Sequence, residues 1–391
     1  MFPLFSYYGR TLLSSLMFLL LFLSRPSSPA RLFPPDQEVS VVTTTTSSDD
    51  TRKNATWHDF TRFLDAVKGS HVAGMSDLKE YFRRFGYLPP FSNTNFTDNF
   101  DSDLEAAVLL YQTKLGLPIT GKLDSDTITS IMSPRCGVSD RDSTAARDDQ
   151  EHEDHDQVHD TRHFAYFYGK PRWQRRSPMT LSYAFSPTDV VKYLSKTDIR
   201  SVFRRSFSRW SAVIPVKFRE TEEYSSADIK IGFYKGDHGD GEPFDGVLGV
   251  LAHAFSPENG RFHLDAAESW AVDLGRDKSK AAIDLESVAT HEIGHVLGLG
   301  HSAVKDAVMY PSLSPRTMKV DLIIDDVRGV QALYGSNPNF KISSLFHAPP
   351  RASSFNYNQS FSPPLPSLLS LFSILSFSFF LSFFFFLHIH L

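Results

Sequence analysis

Residues 291–301 read His-Glu-Ile-Gly-His-Val-Leu-Gly-Leu-Gly-His. His291 and His295 stand four apart, so a helix would project both imidazoles from one face toward a single metal ion, with Glu292 beside them. A third nitrogen cannot come from that face. Gly298 lets the chain leave the helix with a positive φ, and Gly300 adds slack, so that His301 can swing back and complete the set. Three neutral ligands leave a fourth position open. On Zn²⁺ that position takes water whose pKa falls to about 7, and Glu292 is placed to accept its proton. A lone pair of histidines at helical spacing is common without any metal, so the weight rests on the whole string.

The string matches the extended zincin pattern, and Ala307-Val308-Met309-Tyr310-Pro311 follows where that pattern places a methionine turn. On these residues the chain resembles the metzincins, and within them the matrix metalloproteinases. The resemblance implies a zinc endopeptidase in which Met309 lies beneath the metal as an apolar floor and is not a ligand.

Pro134-Arg135-Cys136-Gly137-Val138-Ser139-Asp140 holds the single cysteine of the chain, so no intramolecular disulfide can form. A buried inert thiol is the plain reading. A thiolate is also a strong zinc ligand, and the segment resembles the matrixin cysteine switch, in which Cys136 would take the open metal position and keep a zymogen latent. Arg135 and Asp140 would pair to hold that loop. The family more often has proline where Ser139 stands.

These residues need elements to position them. Helical spacing runs through Phe60, Phe63, Leu64 and Val67, then Leu78, Tyr81, Phe82 and Phe85, then Leu104, Val108, Leu109 and Tyr111. Leu115 to Gly121 breaks the pattern before Thr127 to Met132 resumes it, and three helices around one core is the economical reading. Tyr111-Gln112 through Leu115-Gly116-Leu117 to Thr120-Gly121 resembles the matrixin propeptide, which shares its fold with peptidoglycan-binding domains. That raises a second reading: an extracellular carbohydrate-binding or wall-associated module with a degenerate protease attached.

A catalytic domain is expected over 163–335, with strands at 180–185, 216–218 and 228–233, an amphipathic helix at 199–213 and a closing helix at 325–333. The expected fold class is α+β: a twisted mixed sheet with long helices, preceded by the three-helix domain over 57–140. Between them, 141–163 alternates Asp, Glu and His. Its density of like charge favours a solvated activation loop over a metal site.

Residues 238–268 offer further ligands. His238, Asp240, His253 and His263 make a closed set of the kind structural zinc prefers, and Asp245, Asp265 and Glu268 supply hard oxygens suited to calcium. From residue types alone, scattered surface side chains are an equal reading. Asp237 to Asp240, Phe244 to Gly246, Val250 to Phe255 and His263 to Trp270 together look like the matrixin structural-metal loop. The resemblance implies a second zinc on His238, Asp240, His253 and His263. It implies a calcium on Asp245, Asp265 and Glu268 with the carbonyls of Gly246, Leu248 and Val250. A further calcium of the family would use Asp228 and glycine-rich carbonyls near 256–261. That loop is Ser-Pro-Glu-Asn-Gly-Arg here, which leaves this calcium open.

The ends bound where the chemistry takes place. Leu12 to Leu23 is almost wholly apolar and small residues follow to Ala30, a signal-peptide layout over 1–30. Residues 31–56 are too polar to bury a core. Asn54, Asn95 and Asn358 are N-glycosylation candidates. After a linker at 336–364, the tail 365–391 is Leu, Phe and Ser with no Lys, Arg, Asp or Glu. A transmembrane anchor is usually followed by basic residues, so a glycosylphosphatidylinositol attachment signal is the expected reading, with a retained hydrophobic helix as the other. Either would tether a monomeric enzyme to the outer leaflet of the plasma membrane, facing extracellular protein or peptide substrates. A net charge of −5 gives no reason to expect nucleic acid. No hemopexin-like repeat follows Gly335, which is most like the plant members of the family.

A substrate would lie extended along Leu248 to Ala252, with the side chain after the scissile bond entering a pocket bounded by Val288, His291 and 311–313. Its apolar lining favours Leu or another large hydrophobe.

Overall fold

The computed structural model describes residues 57–90, 95–140, 143–145, 163–343 and 345. The leader 1–30, the segment 31–56, the tail 365–391, Asn54 and Asn358 lie outside the described residues, whereas Asn95 is described and exposed. Among the described residues no helix is long and apolar enough to cross a membrane.

The first apolar cluster forms a 3-10 turn, Trp57–Phe63, and not an α-helix. Leu64 N donates to Thr61 O, an i→i+3 bond, and Asp65 then turns the chain at φ 63°. Phe60 and Phe63 are buried, but Leu64 and Val67 are 50% and 37% exposed, so half of the expected apolar face lies outside the core. Three α-helices complete this N-terminal module: α1 (Met75–Arg84), α2 (Ser102–Lys114) and α3 (Ser125–Ile131). Asp101 caps α2 by accepting from Leu104 N, and Asp124 caps α3 by accepting from Thr127 N. The chain between α2 and α3 folds around buried Gln112. Its amide nitrogen donates to Lys122 O and Thr127 Oγ1, and its oxygen accepts from Thr120 N and Gly121 N.

The rest of the chain gives β1 (Arg135–Cys136), β2 (Ser143–Ala145), β3 (Ala165–Phe167), β4 (Met179–Phe185), α4 (Lys196–Val213), β5 (Val216–Glu220) and β6 (Ile229–Tyr234). It continues with β7 (Val250–Ala254), β8 (Arg261–Asp265), β9 (Trp270–Ala271), β10 (Ile283–Asp284), α5 (Leu285–Val296) and α6 (Ile324–Tyr334). The main sheet has the order β1-β7-β8-β6-β4-β5. Its β7–β8 pair is antiparallel and its other pairs are parallel. The sheet is mixed and carries long helices, as expected.

Helix α4 buries Val202, Phe203, Phe207 and Trp210 on one stripe and packs along α5, where Trp210 Nε1 donates to Thr290 O at 2.9 Å. Trp173 Nε1 donates to Val296 O at the far end of α5, at 2.8 Å. Two indoles thus pin the helix that carries His291 and His295. Within 141–163, expected as a solvated loop, Ser143–Ala145 instead pairs antiparallel with β3. Nor does the packing stop at Gly335, because Phe340 and Leu345 lie against the catalytic core.

Candidate metal centres

Asp284 opens α5 by accepting from Ser287 N and Ser287 Oγ, and every residue of the helix is buried. At its far end Gly298 adopts φ 105°, and the chain returns His301 to the helix face. Gly300 is not in the left-handed region; its N donates to Ala165 O, so Gly298 alone makes the exit.

The Nε2 atoms of the three histidines converge, with His295 to His291 at 3.1 Å and His295 to His301 at 3.2 Å. Cys136 Sγ lies 3.4 Å from His295 Nε2, and the four ligand atoms fall within 4.8 Å of one another. Burial pushes the imidazoles of His291 and His295 well down, which leaves them neutral and ready to donate lone pairs. Burial also pushes the Cys136 thiol up, and the Glu292 carboxylate adds to it, so a thiolate here needs a cation beside it. Glu292 is fully buried beside the Cys136 thiol; burial raises it to about 8, and a hydrogen bond with that thiol lowers it in part. A soft thiol and three neutral imidazoles are a donor set that fits Zn²⁺.

The floor of this site is built by packing. A Cβ on Gly294 would fall under 3.0 Å from Met309 Sδ, so the sulfur rests directly on the helix backbone between Glu292 and His295. Asp326 fixes that turn: its carboxylate accepts from Val308 N, Met309 N and Ile323 N. Sequence reasoning missed Asp326, although an acidic pair opening α6 was a usable signal.

The segment carrying Cys136 approaches as an added strand. Arg135 N donates to Gly249 O, Gly137 N to Ala252 O and Cys136 N to Pro311 O, so β1 lies between the edge of β7 and 311–313. Gly137 permits the approach, because a Cβ there would fall under 3.0 Å from Val250 Cγ1. Arg135 is fully buried over the Phe85 ring and pairs with Asp140 Oδ2 at 2.8 Å. An apolar cavity beside the cluster is lined by Val288, His291 and 311–313, as expected, and by Leu251 and Lys319.

A second cluster joins His238 Nε2, His253 Nε2 and His263 Nδ1 on Asp240 Oδ2, at 2.8–2.9 Å. Burial pushes His253 and His263 down to about 4. Asp240 is held below the carboxylate range: burial opposes this, but the Glu242 N–H and the two imidazoles outweigh it. Neutral nitrogens and an ionised oxygen are the zinc-binding forms. The ring of Phe244 stacks on His238 and His253.

The calcium candidates divide. Asp265 and Glu268 are buried; burial raises Glu268 to about 8, and the charges of Asp265 and Asp245 add to the rise. Crowded carboxylates of this kind fit a hard cation. The amides of Gly246, Leu248 and Val250 donate to Asp265, Glu268 and Asp245 in turn, so the loop is folded around the three acids. The further calcium does not fit. Asp228 accepts from Ser182 N, Ser182 Oγ and Arg175 Nη2, while Arg175 Nη1 donates to Glu258 at 2.8 Å. A guanidinium occupies the Asp228 carboxylate that a cation would need.

With this geometry in hand, comparison with known proteins is specific. Residues 172–335 match the matrixin family model, and residues 72–131 match that of a putative peptidoglycan binding domain. Metalloendoproteinase 1-MMP of Arabidopsis thaliana is 58% identical over 293 residues, 75% of this chain and 77% of the relative. Metalloendoproteinase 4-MMP of the same plant is 57% identical, over 69% of this chain and 75% of the relative. Human neutrophil collagenase is 33% identical over 67% of this chain and 50% of the relative. The chain belongs to the matrixin family of metalloendoproteinases. It is a zinc metalloendopeptidase that acts on proteins or peptides and uses zinc and calcium.

Proposed function

We propose that this chain is a secreted endopeptidase made as a latent zymogen, tethered outside the cell by a glycosylphosphatidylinositol anchor and active as a monomer. The observation that carries latency is the placement of Cys136 Sγ among the Nε2 atoms of His291, His295 and His301. In the same reading, His238, Asp240, His253 and His263 hold the second zinc, and Asp245, Asp265 and Glu268 with the carbonyls of Gly246, Leu248 and Val250 hold calcium. One chain carries every residue of each set, which supports a monomer.

Zinc held by the three histidines supplies Lewis acidity toward a carbonyl and lowers the pKa of water. Glu292 then acts as general base, and its place on α5 between the ligands His291 and His295 supports the role. It takes a proton from the attacking water and returns it to the leaving amine. No side chain joins the substrate covalently. The edge of β7 and 311–313 hold the extended peptide, the places where β1 now lies. The carbohydrate-binding alternative has less support, since the core of the N-terminal module extends onto Phe244, Val250 and Tyr310 of the catalytic domain.

The test is the Cys136→Ser full chain. A hydroxyl hardly ionises at neutral pH, so this chain should cleave a quenched peptide without added protease and lose that activity to a zinc chelator. Mercurial treatment should activate the wild type and change the variant little. A wild-type thiol that reacts as fast as in unfolded protein, with no gain in activity, would refute latency.

A further inference from the structure

The three histidines of the catalytic cluster are alike at Nε2 and differ at Nδ1. His291 Nδ1 donates to Val308 O at 2.6 Å and His295 Nδ1 donates to Leu299 O at 2.8 Å, both acceptors within the catalytic domain. His301 Nδ1 instead lies 2.6 Å from Asp140 Oδ1, a residue that precedes the domain and leaves with the N-terminal module on activation. We infer that Asp140 is a positioning residue for the metal ligand His301, so that the latent chain grips its catalytic metal twice: directly through Cys136 and indirectly through this carboxylate. The inference rests on the latency reading above.

Asp140 is built for two tasks. Its Oδ2 accepts from Arg135 Nη2 at 2.8 Å and from Tyr87 OH at 2.6 Å, which fixes the carboxylate plane. Its backbone is held as well, with N donating to Phe85 O and O accepting from Lys114 Nζ. That leaves Oδ1 aimed at His301, and both partners are buried. A carboxylate that accepts from a ligand imidazole fixes the Nδ1–H tautomer, orients the ring and makes Nε2 a better donor. A charged acceptor does this more strongly than a carbonyl. Two ligands therefore keep their Nδ1 acceptors throughout the life of the enzyme. His301 exchanges a buried carboxylate for water when the module departs, and the mature site should release metal faster than loss of the thiol alone would cause.

The rival account is that Asp140 merely braces Arg135. The two are separated in the zinc-loaded full chain by three measurements: imidazole ¹H–¹⁵N spectra, zinc transfer to a chromogenic chelator, and reactivity of Cys136 toward a thiol reagent. The wild type should show a slowly exchanging Nδ1–H proton for each of the three histidines. Asp140→Asn should lose that of His301 and release zinc roughly ten-fold faster while Cys136 stays protected. Tyr87→Phe removes a bond to Oδ2 only and should leave the proton and the release rate in place. If Asp140→Asn keeps the three protons and the wild-type rate, or if Tyr87→Phe matches it in both readouts, the inference is overturned.

Should Asp140→Asn undock the module, the wild type decides alone. After proteolytic activation the His301 proton should exchange with water while those of His291 and His295 persist, and persistence of all three overturns the inference. A freely reacting wild-type Cys136 removes the latency reading and this inference with it. A protected Cys136 with an unmoved His301 proton removes this inference only.

Discussion

Replacing Gly298 with alanine probes the step that makes a helical pair of histidines into a three-nitrogen site. Gly298 has φ 105°, a backbone that costs an L-residue about 1–2 kcal/mol. The added Cβ would also lie under 3.0 Å from Pro171 O and 3.2 Å from Leu333 Cδ1. Pro171 cannot easily retreat. Its neighbours Arg172 and Trp173 are bonded to Leu333 O and Val296 O. Overpacking against a pinned backbone adds about 1–3 kcal/mol, so the variant should lose roughly 2–5 kcal/mol of stability. Any part of the clash relieved by moving residue 298 passes to His301, and a metal site tolerates about 0.5 Å of misplacement. Gly169→Ala is the control, because Gly169 has φ 79° with nothing within 4 Å of its Cβ and should show the backbone cost alone. Urea unfolding gives the stability of both variants, and chelator competition gives their zinc affinity. If Gly298→Ala costs no more than Gly169→Ala and binds zinc as tightly as the wild type, this account of the helix exit is wrong.

Glu292→Gln should retain zinc, measured by metal analysis, and lose at least about 10² in turnover, since the proton acceptor is gone; wild-type-like cleavage would remove Glu292 from the chemistry. Phosphatidylinositol-specific phospholipase should release the mature protein from intact cells into the medium, whereas retention in the detergent phase would mean a hydrophobic helix is kept. Arg175→Ala leaves Asp228 and Glu258 without their shared guanidinium, so the variant should lose about 1 kcal/mol and recover it with calcium, taking up one ion more than wild type by titration calorimetry. Unchanged calcium stoichiometry would count against the bridge as the reason that site is closed.

What was legible in the sequence was local. The spacing of His291, His295 and Gly298 specifies a helix face and an exit, because helical period and left-handed backbone are properties of neighbouring residues. Amphipathic spacing likewise located α4, whose stripe of Val202, Phe203, Phe207 and Trp210 is buried. It misplaced the start of the N-terminal module, where Leu64 and Val67 sit at helical spacing but the chain tightens to a 3-10 turn and leaves them on the surface. Arg175 shows the same limit. Only the fold brings Asp228 and Glu258 to it, from 53 and 83 positions away.

The features that escaped are those in which one residue completes another across a long stretch of chain. Asp326 holds the turn at Met309 from 17 positions away, and Asp140 meets His301 across 161. Neither partner announces the other, since an aspartate near a helix start and an aspartate after a switch loop both have adequate local roles. Their second roles come from the sheet: β1 can reach the cluster only because the edge of β7 lies open beside α5. Ligand types and intervals thus belong to the sequence. Which outer groups orient those ligands, and which of them belong to the N-terminal module, is decided by the β1–β7 register, where Cys136 stands opposite Ala252.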